Sequence, residues 1–334
     1  MIDISKKLGI ETIGELQSKK DVGALINIVE KSKYPSDVRF AINALGMLKA
    51  KTAVEPIICA LLSDSFQDIA VRALGDIGSE KAVRPLCLLL QNVHTAKLNR
   101  EAILHSLGKI ASKEAAGIII NYLDTDIGEI ALSVLKNLGT LGVGELIFAL
   151  GTDLRDTAIA ALGQIGENAK EATVPLLKIL ETVIDKEAPE CNVLMSLALI
   201  KDHDAVEPLI NAIKYNTSHG DDDYAFQNQI IFTLGDIGDK EATAPLVRLM
   251  LRNDESRVRG TAAAALGKIG DNTAIEPLIS VLENDRENGF VRDSAAWALL
   301  HLDEGKTALP LLKYLKQYHK GIFDSIKHLQ FPFE

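Results

Sequence analysis

Aromatic side chains are scarce in this chain: they make up 5% of its 334 residues, with a single tryptophan, while hydrophobic residues as a whole reach 47%. A core of that composition is filled by Ala, Leu, Ile and Val. It suits stacked helices and argues against a sandwich or barrel, whose strands draw on aromatic and β-branched residues. Cysteine is scarcer still. Cys59, Cys87 and Cys191 are odd in number and lack metal-ligand spacing, so isolated reduced thiols are expected in place of a disulfide framework. Positive charge is in deficit: 36 Lys and Arg face 46 Asp and Glu, a formal charge of −10. That balance favours solubility and works against nonspecific attraction to nucleic acid or anionic membranes. No long apolar run occurs; the stretch from Ala115 to Leu123 is far too short to cross a bilayer. Met1 to Lys20 is mixed and amphipathic and does not read as a signal peptide. No membrane insertion is expected, and the simplest location is cytoplasmic. Phosphate-loop, dinucleotide, His-Glu-x-x-His and Gly-x-Ser-x-Gly motifs are also missing, so no cofactor and no catalytic residue are assigned.

What the chain does have is repetition. A Leu-Gly-x-Ile-Gly anchor recurs, followed by Ala-x-x-Pro-Leu. The clearest copy runs from Val258 and Arg259 through Leu266-Gly267-Lys268-Ile269-Gly270 to Ala274-Ile275-Glu276-Pro277-Leu278. Equivalent anchor positions are Gly14, Gly46, Gly75, Gly108, Lys136, Gly163, Ala198, Gly235, Gly267 and Leu300. Prolines follow at Pro56, Pro85, Pro175, Pro208, Pro245, Pro277 and Pro310, with Ile118 and Leu146 in the place of proline in two copies. Each copy reads as two short amphipathic helices. Proline is tolerated in the first turn of the second helix, and glycine at the end of the first allows a left-handed backbone or a close approach of neighbouring chain. No copy can bury its apolar faces alone. The expected fold is all-α: a right-handed α-solenoid (alpha-alpha superhelix) of about ten hairpins. It would be one continuous array over 1–334, with 320–334 as a C-terminal cap or tail. The expected core comprises Leu45, Leu74, Ile77, Leu86, Leu107, Leu135, Leu162, Leu176, Leu234, Leu246, Leu266, Ile269, Leu278, Leu299 and Leu311.

Second helices are expected to line a concave face. The third position after the proline reads Cys59, Leu88, Asn121, Ala149, Lys178, Asn211, Arg248, Ser280 and Lys313. Of these, Lys178, Asn211, Arg248, Ser280 and Lys313 are candidate protein-binding residues. The longest interval between anchors holds the loop 215–224, whose Asp221, Asp222 and Asp223 are candidate contacts for a basic partner, with Asp185 to Glu190 extending an acidic rim. Arg100, Arg155, Arg259 and Arg292 each lie eight residues before an anchor, whereas Arg39 and Arg72 are off that register. They read as structural arginines bridging layers through fixed-geometry pairing, with Asp254 and Asp285 as partners for Arg259 and Arg292. His203, between Asp202 and Asp204, and His219 read as turn capping and an acidic loop rather than a metal site. Trp297 is expected to cover the end of the hydrophobic stack.

The series Val-Arg-x-x-Ala-Ala-x-Ala-Leu-Gly-x-Ile-Gly followed by Ala-x-x-Pro-Leu resembles the HEAT-like repeats of the phycobilisome-lyase type, best at 258–279, 67–88, 154–178 and 291–312. The resemblance implies architecture more than activity, since such repeats occur in bilin lyases, in a hydroxylase acting on a modified lysine, and in scaffolds and adaptors. The hydroxylase relatives hold a di-iron centre with His-Glu pairs. Here the seven histidines are followed by Thr, Ser, Asp, Gly, Leu, Lys and Leu, so that ligand set is absent. Bilin lyase activity on a phycobiliprotein is one alternative. DNA binding is another, but it needs a basic stripe, and the candidate row offers three separated cations in an acidic chain. The expected role is a non-catalytic scaffold or adaptor with a protein partner.

Overall fold

The computed structural model describes residues 12–92, 97–183, 191–216, 223–302 and 304–320. Among these residues twenty α-helices pair into ten hairpins, and no strand is present. The hairpins are α1 and α2 (Ile13–Ser18, Val22–Lys31), α3 and α4 (Pro35–Met47, Val54–Ala60), α5 and α6 (Gln67–Ile77, Val83–Gln91), and α7 and α8 (Lys97–Ile110, Lys113–Ile119). Next come α9 and α10 (Gly128–Asn137, Thr140–Ala149), α11 and α12 (Arg155–Ile165, Thr173–Val183), and α13 and α14 (Cys191–Ile200, Val206–Asn216). The series ends with α15 and α16 (Asp223–Ile237, Thr243–Arg252), α17 and α18 (Ser256–Ile269, Ile275–Leu282), and α19 and α20 (Gly289–Leu299, Glu304–Tyr318). The chain is thus an all-α solenoid of stacked hairpins. Its contacts gather it into two compact units, Met1–Ala158 and Ile159–Glu334, divided inside α11. In the first unit α5 packs between α3 and α7; in the second, α17 packs between α15 and α19. All fifteen expected core residues are buried.

The two glycines of the anchor do different jobs. The first lets layers touch: a Cβ on Gly46 would meet the Ala73 backbone at 2.9 Å, and one on Gly235 the Ala265 backbone at 3.0 Å. The residue facing each glycine lies two before the next anchor, where the sequence supplies Ala73, Ser106, Ser196, Ala265 and Ala298. The second glycine ends the helix in the left-handed region, as at Gly270 (φ 72°), whose N–H donates to the Leu266 carbonyl. The same φ sign is kept where glycine is missing, at Lys49, Ala111 and Lys201 (φ 50°, 53° and 52°). A side chain there costs roughly 1–2 kcal/mol. Ala111→Gly is therefore expected to stabilise the fold by about 0.5–1 kcal/mol after the added entropy of a glycine in the unfolded chain. A thermal midpoint that fails to rise in this variant would contradict that account.

This backbone signature corrects the register at two places. Gly14 sits at the start of α1, and no atom lies within 4 Å of a Cβ built on it. The left-handed residue of the first hairpin is Lys20 (φ 58°), which puts the anchor at Gln17. In α10, Leu146 is fully buried, like the leucine that follows proline elsewhere, so Glu145 occupies the proline position. The third position after it is then Phe148, and Ala149 is a buried packing residue.

Candidate functional site

Two of the repeat arginines, Arg100 and Arg259, bridge layers by pairing with a carboxylate of the following turn. Arg259 on α17 donates to both Glu287 carboxylate oxygens, at 3.1 and 2.7 Å, and to the Asn253 and Asp254 carbonyls at 2.7 and 2.9 Å. The expected Asp254 carboxylate is not its partner; Asp254 contributes its backbone. Arg100 likewise reaches Asp126 at 3.1 and 2.8 Å. Arg39, set aside as off register, makes the same bidentate pair with Asp68 at 2.9 and 2.8 Å and also donates to the Ser65 carbonyl. Arg155 begins α11 and is half-buried. Arg292 makes no ion pair among the described residues. Its guanidinium lies 4.1 Å from the centre of the Tyr318 ring, and Tyr318 donates to Asp285, the carboxylate expected for Arg292. A second ladder runs through the residues just after the anchors: Lys109 pairs with Asp76 at 2.7 Å, and Lys268 with Asp236 at 2.5 Å. Burial pushes the Glu287 carboxyl up, but hydrogen bonds from Arg259 and from the Asn288 N–H outweigh it and hold the group below its usual range.

The second helices present a different surface. Cys59, Leu88, Asn121, Lys178, Asn211, Arg248, Ser280 and Lys313 are all exposed, as expected for a shared outward row. In the first unit the row is largely apolar, with Leu88 71% and Phe148 74% exposed. There a groove of about 600 Å³ is lined by Leu141, Ile147 and Phe148, with Lys113 and Glu145 3.7 Å apart beside them. In the second unit the structure brings two of the candidate residues into successive grooves. Asn211 lines one of about 410 Å³ between α12 and α14, together with Leu177, Leu180, Glu181, Glu207 and Pro208. Arg248 lines one of about 270 Å³ between α14 and α16, with Ile210, Ile213, Pro245, Leu249 and Arg252. Lys178, Ser280 and Lys313 line neither. Glu181, Glu207 and Arg252 went unnoticed in the sequence because only one position per helix was followed. One turn on, or one residue before the proline, the same periodicity picks them out.

The remaining candidates divide by position. Asp221 and Asp222, His219, and the connection 185–190 lie outside the described residues; Asp223 begins α15, and its side chain is not described. His203 is tied through Nδ1 to Asp239 at 2.6 Å, a bond that raises the imidazole pKa. Asp202 caps the turn by accepting from the Asp204 N–H at 3.4 Å. Among the described residues no three His, Cys, Asp or Glu side chains come together as a metal site. Trp297 stacks on His301 with ring centres 4.1 Å apart and lies over Gly267, yet it stays 41% exposed, so it covers the stack only in part. Cys59 is exposed, whereas burial pushes the Cys87 thiol up to about 11, where it is inert at neutral pH.

Residues 215–300 match HEAT repeats, and residues 66–92 match the PBS lyase HEAT-like repeat. Deoxyhypusine hydroxylase of Schizosaccharomyces pombe is 21% identical over 242 residues, covering 68% of this chain and 73% of that protein. The crystal structure of Kap121p superposes with a TM-score of 0.52 at 14% identity, covering 92% of this chain and 40% of that one. Kap121p bound to the extreme C-terminus of the protein phosphatase Cdc14p gives 0.52 at 13% identity, over 93% and 40%. No described helix is long and apolar enough to cross a membrane. Ten hairpins, glycine contacts between layers and the matched segments agree: the chain is a helical-repeat solenoid, with HEAT-type repeats matched over 66–92 and 215–300.

Proposed function

We propose that the chain is a non-catalytic scaffold or adaptor that binds protein partners on the exposed face of its second helices. One contrast carries the reading. In the second unit Arg259 and Lys268, on a first helix, are neutralised by carboxylates of adjacent layers. Glu181, Glu207, Arg248 and Arg252, on the second helices, have no ion-pair partner among the described residues. Around these two grooves the second helices offer uncompensated charge and apolar surface together, the mixture found at protein interfaces. The fold neighbour Kap121p, seen bound to the C-terminus of Cdc14p, supports a solenoid of this kind taking a protein ligand. The phycobilisome-lyase match covers 66–92, one hairpin of the ten, and supports the repeat type rather than a lyase site.

Site-specific photocrosslinking in the full chain tests the placement. A benzoylphenylalanine at 88, 148, 211 or 248 is expected to capture partner protein. The same probe at Phe40 or Met195, exposed positions on first helices, is expected to capture none. Crosslinks confined to 40 and 195 would reject the second-helix face.

A further inference from the structure

We propose that α12, α14 and α16 form a paired reader for a protein segment, extended as polyproline II, that carries a basic and an acidic residue about three positions apart. The inference rests on the protein-binding reading above and gives it a partner chemistry. The two grooves are consecutive and share α14. The first sets two carboxylates, Glu181 and Glu207, around an apolar floor; the second sets two guanidinium groups, Arg248 and Arg252, around another. All four side chains are exposed and lack an ion-pair partner among the described residues. Like charges gathered in one groove repel until a ligand of opposite sign enters. Because the sign reverses within one layer, a polyanion lying across both grooves meets attraction in one and repulsion in the next. A nucleic acid backbone or an anionic bilayer is therefore a poor fit, while a segment carrying both signs fits. Its register follows from geometry. Packed helices lie about 8–10 Å apart, and a chain extended as polyproline II advances about 3.1 Å per residue and returns its side chains to the same side every third residue, so charges seated in neighbouring grooves fall about three residues apart. The apolar floors add room for one uncharged side chain beside each charge.

A phage-displayed library of random twelve-residue peptides, panned on the full-length chain, tests this. Enriched peptides are expected to pair Lys or Arg with Asp or Glu at a spacing of three. Fluorescence anisotropy with a selected peptide should show at least tenfold weaker binding to Arg248→Glu/Arg252→Glu and to Glu181→Lys/Glu207→Lys. Changing the peptide's acidic residue to lysine should restore binding to the arginine-reversed variant. Arg248→Gln/Arg252→Gln, with helicity checked by circular dichroism, guards against a folding artefact. Peptides of a single charge sign, a spacing of six or seven residues (the mark of a bound helix), or affinity indifferent to both reversals would overturn the inference. If such peptides still crosslink at positions 88 or 148, the scaffold reading stands without it; if no peptide is enriched, both fall. Duplex DNA that binds the wild type, and is lost only on arginine reversal, would identify a nucleic acid reader instead.

Discussion

Gly267→Leu is expected to destabilise the second unit by about 3 kcal/mol or more, through overpacking between layers. A Cβ built on Gly267 stands 2.6 Å from the Ala298 Cα and 2.9 Å from its Cβ, with the Trp297 ring at 3.1 Å. Two of these contacts are with backbone or the atom attached to it, so no rotamer change relieves them; α19 itself has to move away from α17. The displacement would open the buried contacts of Leu266, Ala263 and Ala295, all fully buried. Gly267→Ala gains up to about 1 kcal/mol of helix propensity, yet still meets the clash and is expected to be destabilising overall. Gly14→Ala is the control. It also lies in a helix, but nothing stands within 4 Å of its Cβ, so propensity should make it neutral or stabilising. Urea titration followed by helical circular dichroism distinguishes them. A Gly267→Leu midpoint equal to the wild type would show that the layers are not held by this contact.

The same contact explains how far the fold was legible. A glycine recurring before Ile-Gly, with Ala or Ser two positions ahead of the next anchor, encodes a close approach of helices that larger side chains forbid. The helical period, the turn prolines and the fifteen core positions follow from that register. Where glycine is replaced, the eye loses the phase: Gly14 imitates an anchor it is not, and Leu146 imitates a proline position. The left-handed turn residue, at Lys20 in the first hairpin, cannot be recognised from a lysine. The proposed interaction face was half legible. Periodicity identified an outward row on the second helices, since one exposed position per helix repeats with the layer. The pairing of exposed charges was not visible, because it depends on side chains about 30 residues apart meeting across a layer. Arg259 meets Glu287 and Lys268 meets Asp236, whereas Arg248 and Arg252 meet no carboxylate among the described residues, and nothing in their immediate neighbours announces the difference.

Arg259→Met is expected to cost about 2–4 kcal/mol, near the range for breaking a buried ion pair by removing one partner. Arg259 and Glu287 are 17% and 12% exposed, so solvent screens them little. The arginine also serves the Asn253 and Asp254 carbonyls, which lose their donor with it. Glu287→Leu alone leaves the guanidinium with those two carbonyls and should cost less. The double variant Arg259→Met/Glu287→Leu should recover part of the loss, because neither charge then remains buried alone. The pair also predicts a pH signature. The Glu287 carboxyl is held below its ordinary value in the native state, so its contribution is fully present above the unfolded-state carboxyl pKa of about 4.3. It is lost as pH falls through the depressed native value. In Arg259→Met the burial that opposes ionisation acts without the compensating guanidinium, which moves Glu287 in the other direction. The stability gap between wild type and Arg259→Met should therefore be wide at pH 7 and narrow as pH falls below about 4 through the depressed native value, down to the part carried by the carbonyl bonds. A gap of constant size across that range would mean that the arginine acts through packing and its carbonyl bonds alone, with no contribution from the charge on Glu287.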